Sequence, residues 1–182
     1  MSGPAPSLRV WDRLVRVLHW VLVLAVAGGW LSTFWLGFTH QPVGYLALAA
    51  VLLRVVWGCT GSRYARFTQF LRSPRMTLAY LGLLLRHREP RYLGHNPLGG
   101  WMIVALMGCV IGLAVTGWLY TTDWFWGDEL VDQLHQALAW TLLGLAALHV
   151  LGVVFTSWRH RENLVRAMVD GRKRGPDAHD IH

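Results

Sequence analysis

The chain has 182 residues, 54% of them hydrophobic, and a mean hydropathy of +0.35, which is too apolar for an ordinary soluble domain and places it among membrane proteins. Its net charge of +7 does not mark a nucleic-acid binder, because the basic residues sort by position along a membrane topology. Cys59 and Cys109 lie outside any CxxC or CxxCH pattern, which excludes a zinc pair, a disulfide and covalent haem attachment, while eleven Trp fit the aromatic belts of a bilayer-spanning bundle.

In chain order, Arg9, Arg13 and Arg16 precede a first apolar stretch that is too long for a signal-peptide core and lacks a small-residue cleavage site, so it is expected to remain as a membrane helix. Crossing a hydrocarbon layer of roughly 30 Å takes about 20 helical residues. Four segments approach or exceed that length, at approximately 14–35, 41–57, 98–121 and 131–158. The second is short and is expected to run a few residues into the loop after it, with Pro42 in its first turn, where a missing N–H costs nothing. The predicted fold class is all-α, a transmembrane four-helix bundle forming one domain over residues 1–182, with 159–182 as a basic tail.

Between the second and third spans, residues 59–97 carry Arg63, Arg66, Arg72, Arg75, Arg86, Arg88 and Arg91. The apolar run Leu78–Leu85 in that loop is only eight residues long and cannot span. Ser73-Pro74 reads as a helix start, which predicts either an interfacial amphipathic helix or an extension of the third span. Arg159, Arg161, Arg166, Arg172, Lys173 and Arg174 follow the fourth span, whereas loops 36–40 and 122–130 hold no Lys or Arg. The positive-inside rule therefore puts both termini and the 59–97 loop in the cytoplasm, where the basic residues fix topology and meet anionic membrane lipid.

Four of the nine histidines, His19, His40, His135 and His149, lie in or at the rim of the spans, where an ionisable group is costly and a functional candidate. Taken singly, each is also explained as a neutral imidazole bonded to a neighbouring helix. Depth separates them. His19 sits about a turn and a half into the first span from the cytoplasmic side. His40 opens the second span at the outer side, and His135 lies in the outer half of the fourth, with His149 fourteen residues further on. At about 1.5 Å and 100° per residue, that interval is ~21 Å along the axis and returns to within ~40° of the same face. Matching depths pair His19 with His149 and His40 with His135, since metal–ligand bonds of about 2 Å cannot join His19 to His40 across the layer. Two bis-imidazole sites suit two haems. With both axial positions filled neither iron is open to substrate, which favours electron transfer over oxygen chemistry. Gly28, Gly29, Gly44, Gly108, Gly112, Gly117, Gly144 and Gly152 offer room for a macrocycle or ordinary close helix packing, and Gly44, one turn after His40, is the best placed. Arg54, within the second span near its cytoplasmic end, either pairs with a haem propionate or snorkels to the headgroups.

Several motifs then converge. They are Val10-Trp11-Asp12-Arg13-Leu14-Val15-Arg16 running into His19-Trp20; His40 with Gly44 and Arg54; Gly94-His95-Asn96-Pro97-Leu98-Gly99; His135 with His149; and Glu162-Asn163-Leu164-Val165-Arg166-Ala167-Met168 with Gly171-Arg172-Lys173-Arg174. Together they cover nearly the whole chain and resemble the bacterial cytochrome b561 and nickel–iron hydrogenase b-type cytochrome family. The resemblance implies a di-haem b cytochrome of the bacterial cytoplasmic (inner) membrane, with ligand pairs His19/His149 and His40/His135, that exchanges electrons between quinone and a partner outside the membrane. It also implies quinone chemistry at the cytoplasmic-side haem, which makes His95 and Arg91 candidates for a quinone pocket or propionate contacts. A His beside Asn-Pro equally reads as a helix-start hydrogen-bonder.

Three functions follow from this reading. The leading expectation is an electron conduit between the quinone pool and a periplasmic redox protein, a c-type cytochrome or a hydrogenase, because Asp123, Asp128, Glu129 and Asp132 give the outer loop a negative field that attracts a cationic protein. The same acidity also follows simply from keeping Lys and Arg inside. A quinone-coupled superoxide oxidase is the alternative within the resembled family, although an anionic substrate calls for the opposite charge at the outer haem. The third is a haem-bearing anchor of a larger redox complex. Trp124 and Trp126 at the outer rim read as belt residues.

Overall fold

The computed structural model describes residues 7–35, 37–176 and 180–181. In chain order the elements are β1 (Ser7–Arg9), α1 (Arg13–Trp35), α2 (Gly37–Thr60), a 3-10 turn (Arg63–Ala65), α3 (Phe67–Phe70), α4 (Pro74–Leu85), α5 (Pro97–Leu119), α6 (Glu129–Arg159), α7 (Leu164–Asp170) and β2 (Arg172–Arg174). Helices α1, α2, α5 and α6 are 23, 24, 23 and 31 residues of mostly apolar sequence, each long enough to cross a bilayer. Their large apolar side chains stay exposed along much of their length, among them Leu24, Leu31, Leu53, Leu148 and Leu151. So much uncovered apolar surface is untenable in water and is what lipid contacts in a membrane. The protein is an all-α, multi-pass membrane protein.

Three spans begin and end within about two residues of the positions expected from sequence. The second differs. It starts at Gly37, so His40 lies within the helix and Pro42 is its sixth residue, beyond the first turn. Hydropathy marks a boundary at the polar His40-Gln41 pair, but backbone hydrogen bonding is indifferent to polarity and carries the helix through it. At the other end the helix continues to Thr60, as its short apolar run requires. Ser73-Pro74 does open a separate helix: Ser73 accepts a hydrogen bond from Met76 N at 3.4 Å, Pro74 fills the first position, and α4 ends at Leu85, well before α5. The extension of the third span is thereby excluded.

The chain divides into two compact units, the first made of Met1–Arg16, Val56–Ile103 and His149–His182, the second of Val17–Val55 and Val104–Leu148. In the first unit, β1 and β2 pair antiparallel with Leu8 opposite Lys173. Behind them lies a core of Val10, Trp11, Val15, Ala65 and Ala167, joined by Leu8, Trp57, Tyr64 and Met168. Asp12 ties this unit to the start of α1: its carboxylate accepts from Val15 N at 2.8 Å, from Trp57 Nε1 at 2.9 Å and from the Ser62 hydroxyl. Burial pushes the Asp12 carboxyl up, but these hydrogen bonds outweigh it and hold it below the usual carboxylate range. The residues that read as a basic tail are thus folded. Asn163 caps α7 by accepting from Arg166 N at 2.8 Å, and Gly171 ends it at φ 81, where a Cβ would lie 2.6 Å from the Trp11 carbonyl oxygen.

In the second unit, the interior is lined by small and branched residues, including Ala25, Ala47, Ala50, Val51, Val110 and Leu142. Lipid supplies no hydrophobic drive between helices, so the small residues that let backbones approach carry the packing. Trp30 and Trp140 meet edge to face with centroids 5.0 Å apart.

Candidate functional site

Two of the sequence-nominated histidines come together in the second unit. His40 on α2 and His135 on α6 face each other with ring centroids 6.1 Å apart and planes at 65°. Each ring is held by its Nδ1. His40 Nδ1 is 3.0 Å from the Gly29 carbonyl oxygen and 3.0 Å from Ser32 Oγ. A carbonyl only accepts, so His40 Nδ1 carries the proton. His135 Nδ1 is 2.9 Å from Thr116 Oγ1, which also lies 2.8 Å from the Gly112 carbonyl and 3.2 Å from the Leu113 carbonyl. With the hydroxyl proton given to either carbonyl, Thr116 accepts and His135 carries its proton on Nδ1. In both rings the lone pair is left on Nε2.

Ser32 and Thr116 bond the two histidines and were not singled out by the sequence reading. Both are buried, at 4% and 9% exposure, inside mostly apolar spans. Their rarity in such spans was a usable signal; their partnership with histidines 8 and 19 positions away was not visible before folding. Gly117 has a similar role, since a Cβ there would lie 3.3 Å from His135 Cε1. At Gly44 and Gly29, by contrast, a Cβ would meet nothing within 4 Å, so open space adjoins both.

The remaining candidates are placed as follows. His19 is half-buried on α1 in the second unit, its ring edge-on to Trp20 with centroids 5.3 Å apart. His149 is half-buried on α6 in the first unit. Arg54 is buried on α2, at 7% exposure. His95, in the first unit, stands between Trp11 and Phe70 at centroid distances of 4.5 and 5.0 Å, while the adjacent Asn96 caps α5 by accepting from Gly99 N at 2.7 Å.

Arg91 sits in a buried ionic cluster. It pairs with Glu162 at 2.9 Å and with Asp180, and donates to the Arg174 carbonyl at 2.8 Å. Lys173 joins from β2, 3.4 Å from Glu162, and donates to the carbonyls of Tyr92 and Leu93 at 3.1 and 3.0 Å. Burial would raise the Glu162 carboxyl, but Arg91 and Lys173 hold it below the usual range; burial pulls the Lys173 ammonium down despite Glu162. Nearby, Glu89 pairs with Arg159 at 2.9 Å, and burial together with the Glu89 charge pushes the Tyr80 phenol up to about 12.

Among the described residues no three His, Cys, Asp or Glu side chains converge as a ready-made metal centre. A haem asks less of the protein, because the porphyrin supplies four of the iron's six ligands. A membrane-spanning helical bundle with paired, oriented imidazoles between helices belongs to the class of membrane haem proteins. Residues 10–171 match the family model for prokaryotic cytochrome b561, and the chain belongs to that family. It is accordingly a b-type membrane cytochrome, a haem b protein of bacterial electron transfer. Among curated relatives, a "Probable Ni/Fe-hydrogenase B-type cytochrome subunit" of Rhodobacter capsulatus is 24% identical over 92% of this chain and 81% of its own length. Proteins of the same name from Rhizobium leguminosarum bv. viciae and Azotobacter vinelandii are 22% and 23% identical, over 96% and 91% of this chain and 92% and 88% of their own lengths.

Proposed function

We propose that His40 and His135 are the two axial ligands of one haem b. The observation that carries this is the combination of spacing and tautomer. Two metal–nitrogen bonds of about 2 Å, each with a further ~1.1 Å from nitrogen to ring centre, put the centroids of a bis-imidazole iron about 6 Å apart, and the pair stands at 6.1 Å. With Nδ1–H donated to Gly29 and Thr116, each ring keeps Nε2 for iron, and the hydrogen bonds fix orientation and raise ligand basicity. A second haem is assigned to His19 and His149 by sequence depth, and Arg54 to a propionate by its charge within a span. When bound, haem supplies a one-electron carrier whose iron has no vacancy for substrate.

The chain is then an electron conduit between quinone in the membrane and a redox protein on the outer face. The names of the relatives support a nickel–iron hydrogenase as that protein, since the similarity spans more than nine-tenths of this chain in each of the three proteins described above. The acidic outer loop supports a cationic c-type cytochrome instead. Cytoplasmic termini and an inner-membrane location rest on the positive-inside distribution, and the pairing of β1 with β2 supports a common side for both termini. His95 remains a candidate for the quinone end through its place in the loop before α5, whereas Arg91 is taken up by Glu162 and Asp180.

The test is haem extraction and counting per chain, before and after His40→Ala. A fall from two haems to one supports the number and the pairing; an unchanged count rejects the His40 assignment. Reduction of the purified haems by hydrogen in the presence of co-purified hydrogenase, against reduction by a reduced c-type cytochrome, decides the partner.

A further inference from the structure

Arg63, Arg66 and Arg72 of the first unit line one cavity of about 400 Å³ together with Thr68 and Gln69. No carboxylate lines it, and among the described residues none of the three guanidinium groups is in an ion pair. The sequence accounts for the imbalance: between Asp12 and Glu89 the chain contains no Asp or Glu, and Asp12 is already engaged by Trp57, Ser62 and Val15 N. Two of the three side chains are tethered, and the third arginine is bonded at its backbone. Arg66 Nε donates to the Gly61 carbonyl at 2.8 Å, Trp101 Nε1 donates to the Arg72 carbonyl at 3.1 Å, and Arg63 lies over the Tyr64 ring at 5.7 Å. Three like charges around one open cavity, Arg63 and Arg66 among them exposed, repel one another and are relieved by an anion between them. A phosphate group matches this lining, because guanidinium forks bind its oxygens in pairs and the Thr68 hydroxyl and Gln69 amide add neutral donors.

What adjoins the cavity indicates the source of the phosphate. Helix α4 begins two residues after Arg72. At about 100° per residue, Met76, Leu78, Ala79, Leu83 and Leu85 fall on one half of that helix together with Arg75, and all six are exposed, Leu78 at 67% and Leu85 at 75%. Tyr80, on the other half, is buried. An exposed, largely apolar half-helix that follows directly in the chain on a cationic cavity has the two-part chemistry of an amphiphile at the membrane–water boundary. We propose that Arg63, Arg66 and Arg72 form a phosphate-binding site for the headgroup of an anionic phospholipid, whose acyl chains run along the exposed face of α4.

The full-length, haem-loaded protein is titrated in detergent with phosphatidylglycerol, with phosphatidylcholine and with inorganic phosphate, and binding is read by native mass spectrometry and thermal unfolding. Phosphatidylglycerol is expected to be retained and to raise the unfolding temperature, with phosphatidylcholine doing neither. In the double variant R63Q/R72Q, which spares the Arg66–Gly61 contact, affinity for phosphatidylglycerol falls about fivefold for each arginine removed, or about 25-fold for the pair. An unchanged haem spectrum and an unchanged melting temperature in phosphatidylcholine show that the variant is folded. Saturation by inorganic phosphate with no preference between the two lipids supports the site and assigns it to free phosphate. Equal retention of phosphatidylglycerol by wild type and variant overturns the proposal, as does loss of haem absorbance in R63Q/R72Q, which would assign these arginines to the cofactor.

Discussion

In the first unit charge meets charge: Glu162 is bracketed by Arg91 and Lys173, Asp180 closes on Arg91, and Glu89 takes Arg159. In the second unit the pairs that hold the two facing histidines are neutral, imidazole with hydroxyl or carbonyl, at Ser32, Gly29 and Thr116. The difference teaches what each arrangement leaves over. An ion pair uses up both partners and serves to hold the chain ends; a neutral histidine bonded at one nitrogen keeps a lone pair on the other, which is available to a metal.

The comparison breaks most sharply at the imidazoles. On the proposed ligation, His135→Ala is expected to remove the haem held with His40 while leaving the β1–β2 ribbon and its ionic cluster intact, as measured by haem content beside circular dichroism. Glu162→Gln should do the reverse. Deleting one partner of a buried ion pair costs about 3 to 5 kcal/mol, so the melting temperature falls with haem stoichiometry preserved at temperatures where the variant is folded. The same unit predicts an acid limit. Glu162 and Asp12 both sit below their ordinary values, so the stability they contribute is full above about pH 4.5 and is lost as pH falls through their depressed values; unfolding midpoints measured against pH check the direction.

Smaller effects sharpen the contrast. Thr116→Val removes the acceptor for His135 Nδ1–H and is expected to weaken binding of one haem about 10- to 100-fold and to raise its reduction potential, with Thr116→Ser restoring both; haem-transfer assays and redox titration read the two quantities. Glycines give the smallest pair. Gly58→Ala would bring a Cβ within 2.2 Å of the Phe67 ring and is expected to destabilise the first unit by about 1 to 3 kcal/mol. Gly44→Ala meets nothing within 4 Å and should change the apoprotein by no more than roughly 1 kcal/mol, a gain in helix propensity. Thermal unfolding of the two variants separates them.

Much of this molecule was legible in the linear chain for a simple reason: a bilayer punishes any uncovered backbone polar group, so a long apolar run has to be a helix. The four spans and the nomination of His40 and His135 follow from that constraint and from the cost of placing an imidazole in hydrocarbon, and the Ser73-Pro74 start of α4 from local capping. Tertiary structure decided what depends on distance between remote residues. It chose Gly29, Ser32 and Thr116 as the partners that set the histidine tautomers, turned the basic tail into α7 and β2, and assigned Arg91 and Lys173 to carboxylates at positions 162 and 180. A positive charge in the sequence declares only its sign; whether it meets lipid, a propionate or a buried glutamate is settled by where the chain brings the opposite charge.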